Sequence, residues 1–285
     1  MAAGVTGQSF APEPPNAPVV LDALARAYPG RVESPAIRHG DWSVLVGGRT
    51  FLWAGGRMLP EEERDAAGRY MRHSFLPYPR EMPDTPILDE EQVRALEERI
   101  RSLETRSSVR NQAFLEALWP GMESFESAER TVESTSFLGW KIRIHPGIAE
   151  PLARVDAAIR WSAEEDPEIS AWLDDLAAVG AYVWRDIAGS GNRSLHSFGI
   201  AVDMVPRNYG GRPAYWRWAR DVYDEWWAVP QEERYPVPAA VVEAFEAQGF
   251  TWGGKWFLYD RIHFEYRPEL FLIPEGAAPV SRRGS

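Results

Sequence analysis

The chain contains no cysteine. Disulfides are thereby excluded, and so is any thiolate-held metal; a metal site here must be built from nitrogen and oxygen donors. No apolar run approaches the roughly 18 residues that cross a bilayer, so no transmembrane segment is expected. Positive charge is in deficit, with 31 Lys and Arg against 42 Asp and Glu and a formal net charge of -11. Such a chain lacks the basic surplus that neutralises phosphates, and no nucleic acid is expected among its partners. The first residues, Met1 to Pro18, show no basic segment followed by an apolar one. That beginning fits a cytoplasmic protein, or a chain that starts after a removed export signal. A tract such as Ala11-Pro12-Glu13-Pro14-Pro15 is the kind of flexible linker that follows a cleavage site.

What remains is an ordinary globular composition, 45 % hydrophobic and 26 % charged over 285 residues, enough for one large domain or two modest ones. There are 13 tryptophans, which serve either a large aromatic core or the lining of a groove for a peptide or sugar. The chain divides into a disordered segment (1–18), an N-terminal extension of unknown role (19–130), a C-terminal domain (131–275) and a flexible tail (276–285).

Within the extension, Val19 to Tyr28 forms a short helix ended by Gly30. Trp42 to Val46 and Arg49 to Trp53 are β-rich runs joined by Gly47-Gly48, whose freedom to take positive φ predicts a tight hairpin. Leu76 to Pro86 holds four prolines and reads as an extended connector. From the N-cap candidate Asp89, Val93, Leu96, Ile100 and Leu103 recur at helical spacing, and a second helix covers Asn111 to Trp119. Phe137 to Ile144 and Ala181 to Arg185 are expected as strands. Ile148, Leu152, Val155 and Ile159 mark an amphipathic helix. Tyr215 to Trp227 and Pro238 to Gln248 are expected as helices, and Ile262 to Glu265 as the last strand. Helices and short strands mix without regular alternation, so the expected class is α+β: a small, mainly antiparallel central sheet with flanking helices, plus an extension of a hairpin and helices.

Two stretches carry chemistry. They are Ser194-Leu195-His196-Ser197-Phe198-Gly199-Ile200-Ala201-Val202-Asp203 and Asp260-Arg261-Ile262-His263-Phe264-Glu265. The His196-to-Asp203 spacing alone is better explained by a structural histidine near a surface aspartate. With the second stretch added, two of the chain's 5 histidines fall in motifs that each supply a carboxylate. Strand alternation puts Asp203 opposite core residues, and puts His263 and Glu265 on one face with Asp260 a turn earlier. Three protein ligands, one open position and one spare acid are the parts of a catalytic zinc site.

The order Ser-x-His-x-x-Gly-x-Ala-x-Asp, then Trp252-Gly253-Gly254-Lys255-Trp256, then Asp-x-x-His-Phe-Glu resembles the zinc D-alanyl-D-alanine carboxypeptidase (VanY-like) family. That family includes L-alanyl-D-glutamate endopeptidases and shares its zinc scaffold with hedgehog signalling domains. The resemblance covers roughly residues 137–270. It implies Zn²⁺ as cofactor, held by His196, Asp203 and His263, with Asp260 as catalytic acid/base. It further implies Arg185 as the residue steadying the substrate carbonyl or oxyanion, although Arg193 lies nearer in sequence, and Ser194 and Trp252 as substrate-binding. Glu265 either orients a ligand or is a plain strand-surface residue. The implied partners are peptidoglycan stem peptides and the implied location is the cell envelope. The alternative is a hedgehog-like zinc module that binds without cleaving.

Overall fold

The computed structural model describes residues 15–104, 109–187 and 190–276. Of the segment expected to be disordered, residues 1–14 lie outside the described residues, as do residues 277–285 of the tail. Residues 15–18 correct that expectation. Helix α1 (Ala17–Ala27) begins there, because the Asn16 side chain accepts from the Val19 amide and proline in the first turn loses no needed donor. Val20, Leu21 and Leu24 form its fully buried face.

Strands β1 (Ala36–Arg38), β2 (Asp41–Val46), β3 (Arg49–Leu52) and β4 (Leu59–Pro60) follow as an antiparallel sheet. Gly47 and Gly48 turn the β2–β3 hairpin at φ 57° and 84°, the positive values a primed turn requires. The proline connector has no regular structure, as expected. It is tied down nonetheless: the Tyr78 hydroxyl donates to Glu246 and accepts from the Trp252 amide, while Lys255 Nζ donates to the carbonyls of Pro79 and Arg80. Two short strands, β5 (Tyr70–Met71) and β6 (Val109–Arg110), pair in parallel.

Helix α2 (Glu90–Glu104) starts in a reciprocal cap, Asp89 Oδ1 accepting from the Gln92 amide and Gln92 Oε1 from the Asp89 amide. Leu96 and Ile100 of its stripe enter a small aromatic core with Trp216, Trp226 and Tyr259. Helices α3 (Ala113–Leu118) and α4 (Phe125–Thr131) lead to a correction. Residues 137–144, expected as one strand, are a hairpin of β7 (Glu133–Phe137) and β8 (Trp140–Ile144). Leu138 and Gly139 turn it at φ 50° and 86°, and the Leu138 amide is held by the Asp156 carboxylate, so the glycine in the apolar run marks a turn. Helix α5 (Ala149–Glu165) buries Leu152, Val155 and Ile159, and α6 (Pro167–Asp174) follows.

The central sheet is antiparallel in the order β11 (Phe250–Trp252), β12 (His263–Tyr266), β10 (Ala201–Pro206), β9 (Leu176–Gly180). Strand β9 lies just upstream of Ala181 to Arg185, where a strand was expected. Those five residues are irregular because their amides serve other partners: Tyr182 donates to the Arg143 carbonyl, Val183 to the His196 carbonyl and Arg185 to Ser197 Oγ. The helix expected over 215–227 is only α7 (Trp216–Arg220). A straight helix would set Trp216 and Trp226 about 15 Å apart along its axis, whereas their rings meet at 5.3 Å in the small core. Helix α8 (Ala239–Glu246) precedes β11, with Val241, Val242 and Phe245 buried. Phe245 stacks on Phe264 of β12 at 3.9 Å.

Helices and small, mainly antiparallel sheets thus make an α+β protein. One connected core runs from Ala17 and Val20 through Phe51, Phe114 and Ile159 to Phe264 and Ile273. Among the described residues, no helix is long and apolar enough to cross a membrane.

Candidate metal centre

Strands β10 and β12 fix the first two side chains. Their register sets Asp203 directly opposite His263, so the two side chains leave the sheet on one face. The other face is sealed by Val202, Met204 and Phe264, all fully buried. The third side chain comes from a turn of 3₁₀ helix, Leu195–Phe198. Ser194 begins this turn, its Oγ accepting from the His196 amide at 3.3 Å. Gly199 ends it at φ 64°, where an added Cβ would stand 2.6 Å from the His145 amide nitrogen, so only glycine fits.

These elements bring three donors to one point. Asp203 Oδ1 lies 2.8 Å from His263 Nδ1 and 3.1 Å from His196 Nε2, and the two imidazole nitrogens are 3.3 Å apart. The outward nitrogen of each ring is spoken for. His196 Nδ1 donates to the Ala181 carbonyl and His263 Nε2 donates to Glu265 Oε2 at 3.2 Å. Those partners set the tautomers, leaving both lone pairs and a carboxylate oxygen converging on the same spot. Three acceptors so placed repel one another unless a positive charge lies between them. The spacing also fits a tetrahedral ion, whose ligand atoms at about 2.0–2.1 Å from zinc would be roughly 3.3 Å from each other. His196, Asp203 and His263 therefore suit a metal by both geometry and donor chemistry.

The local electrostatics point the same way. When a proton takes the place of an ion between them, the same nitrogens donate to Asp203: burial alone would raise its carboxyl, but those hydrogen bonds hold it far below the carboxylate range. Burial would lower His263, yet Asp203 and Glu265 raise it well above 6.5, the mark of a pocket that demands a cation. Asp260 behaves oppositely. Burial, aided by the Asp203 charge, pushes its carboxyl up to about 6. Its Oδ1 is buried without a hydrogen-bond partner.

Asp260 is held over the site by its backbone. Its amide donates to the Gly253 carbonyl at 3.0 Å, its carbonyl accepts from the His263 amide, and Tyr215 bridges to it from the other side. The Gly253-Gly254 pair is what lets the chain pass this closely. A Cβ on Gly253 would stand 2.4 Å from the Asp260 carbonyl oxygen, and one on Gly254 would strike the Trp252 ring at 2.2 Å. Gly253→Ala should accordingly cost about 1–3 kcal/mol, as overpacking does, and displace Asp260. Denaturant unfolding would register the loss of stability.

The remaining expected site residues are placed differently from one another. Arg185 is exposed, but its backbone is stitched to the His196 turn: its amide donates to Ser197 Oγ and its carbonyl accepts from the Ser194 amide. Arg193 is used elsewhere, donating to Glu116 and to the Met122 carbonyl while stacked on Trp184 and Phe198. Ser194 is buried under the turn it caps. Trp252 is not brought to the cluster surface; it is 2 % exposed, its indole donating to the Arg261 carbonyl. The tryptophan beside the site is Trp256, whose ring is 5.6 Å from that of His263. Both tryptophans flank the same glycine pair, and only the turn at 253–255 decides which of them faces the cluster. Sequence reasoning also missed Tyr209. Burial raises its phenol, with Asp260 and Asp203 adding to the shift, which puts it within electrostatic reach of the site.

Residues 20–75 match the model of a domain of unknown function. No curated protein and no solved structure matches the chain. Residues 188–266, which hold His196, Asp203, Asp260 and His263 and stop short of Arg185, match the family of D-alanyl-D-alanine carboxypeptidases.

Proposed function

We propose that the protein is a zinc peptidase that hydrolyses peptidoglycan stem peptides in the cell envelope, as a D-alanyl-D-alanine carboxypeptidase or an endopeptidase of the same chemistry. His196, Asp203 and His263 would hold the ion. Bound there, zinc supplies a water acidified toward a pKa of about 7 and polarises the scissile carbonyl.

The protein's own groups do the rest. Asp260 accepts a proton from the attacking water at its unpartnered Oδ1 and returns it to the departing amine. A buried carboxyl near 6 is close enough to neutrality to serve as base and then acid. Arg185, anchored by its backbone to the turn that carries His196, steadies the substrate carbonyl as charge develops. Trp256, whose ring is 5.6 Å from that of His263, limits the access of water there.

Asp260 carries this assignment. A module that binds zinc only to recognise a partner has no use for a buried, raised carboxyl with one oxygen left unpartnered, three residues from a ligand. Incubating the zinc-loaded protein with defined muropeptides and weighing the products tests it. Loss of one terminal alanine identifies the carboxypeptidase, and an internal cut identifies the endopeptidase. Either activity should vanish with a chelator and return with added zinc. Intact muropeptides after prolonged incubation with stoichiometrically loaded protein would rule the assignment out.

A further inference from the structure

We propose that the N-terminal segment, residues 17–75, is a positioning element of the metal centre, acting on His263 through a buried chain of Tyr28, Glu269, Arg267 and Glu265. The inference rests on the metal reading of His196, Asp203 and His263.

The chain is continuous. His263 Nε2 donates to Glu265 Oε2 at 3.2 Å, and Arg267 Nη1 donates to the other oxygen of that carboxylate at 3.4 Å. Arg267 Nε donates to Glu269 Oε1. The Tyr28 hydroxyl of α1 donates to Glu269 Oε2 at 2.7 Å, and Arg267 Nη2 donates to the Ser74 carbonyl at 3.1 Å. Glu269 is 1 % exposed and Arg267 9 %. Strand alternation makes the path possible, since residues 263, 265 and 267 follow one another on a single face.

Both outside contacts, Tyr28 and Ser74, come from the stretch that matches a domain of unknown function, not from the peptidase match. Their effect follows from how charge is shared. Glu265 serves two donors, the His263 imidazole and the Arg267 guanidinium. Glu269, steadied by Tyr28, and the Ser74 carbonyl draw Arg267 away from Glu265. They leave Glu265 Oε2 free to orient the ring and keep it a strong donor to a metal. Neutralise Glu269, and Arg267 turns to Glu265 and competes with the histidine.

The test uses the full chain and the metal itself. Zinc dissociation constants are measured by competition with a chromogenic chelator, and the cobalt-substituted protein is examined by visible absorption. Glu269→Gln should weaken zinc about tenfold. Tyr28→Phe should weaken it by a few-fold, and both should shift the cobalt band. Val20→Ala is the control: it removes packing from the same helix without touching the chain of hydrogen bonds. It should lower thermal stability and leave affinity and band unchanged. Wild-type affinity and spectrum in Tyr28→Phe and Glu269→Gln would overturn the inference, as would an equal loss of affinity in Val20→Ala. Should Glu269→Gln not fold, Tyr28→Phe, lacking one hydroxyl only, decides. Failure of the wild-type protein to bind zinc at all would instead sink the metal reading itself.

Discussion

If the zinc-peptidase reading holds, Asp260→Asn should lower kcat by a factor of about 10²–10⁴, the usual contribution of a placed proton carrier, and should retain stoichiometric zinc. The asparagine is nearly isosteric, and none of the three metal donors is altered. The Asp260 backbone contacts to Gly253 and His263 involve only its amide and carbonyl, so they survive the change. What disappears is a group able to take a proton and give it back. The pH profile supplies a second readout. A base must be ionised to act, so kcat/KM should rise with pH through the Asp260 pKa, which burial sets near about 6 in the protein. A dication nearby favours the carboxylate, so the acid limb lies at or below that value. In Asp260→Asn the limb should flatten. Retention of full turnover by the variant would dismiss Asp260 as the proton carrier.

His196→Ala should lose zinc and turnover together. His196 is 3 % exposed and its ring is locked between the Ala181 carbonyl and Asp203. Deleting it removes one of three donors and leaves a hole in a rigid turn, with no neighbouring histidine able to reach in. His145, the nearest in sequence, is committed to the Pro120 carbonyl and the Gly147 amide. Metal analysis after dialysis, beside the activity assay, separates this outcome from that of Asp260→Asn. Zinc retained at wild-type stoichiometry would mean that the ion is held elsewhere.

The convergence of His196, Asp203 and His263 is more legible in the sequence than the local turns around them, for a physical reason. Metal donors must come from a few residue types, and strand alternation says which of them share a face; alternation alone therefore sets Asp203 and His263 opposite core residues. Helical stripes are equally readable, since Leu152, Val155 and Ile159 can satisfy their burial in one way only. Local punctuation is harder. Gly139 inside an apolar run is equally compatible with a bulged strand and a hairpin turn, and the Asp156 carboxylate that settles it comes from α5. The aromatic run at 215–227 has helical propensity, but two of its tryptophans gain more by meeting in the small core. Glu265 cannot be told from a surface glutamate by sequence, because its partners His263 and Arg267 are recruited by strand geometry and Arg267 is in turn fixed from α1 and residue 74. The choice between Trp252 and Trp256 needs the turn itself.

The Tyr28–Glu269 bond joins residues 241 positions apart, and that separation dictates an order of events during synthesis. Of the described elements, helix α1 is made before all the others and the turn at Pro268–Phe271 that it packs against after all of them. Until then its face of Val20, Leu21 and Leu24 is covered only in part, by elements such as β2, and a species with that surface open aggregates or calls for a chaperone. A truncated chain ending before that turn would meet the same fate, so proteolytic trimming at the C-terminal side should be tolerated only beyond it.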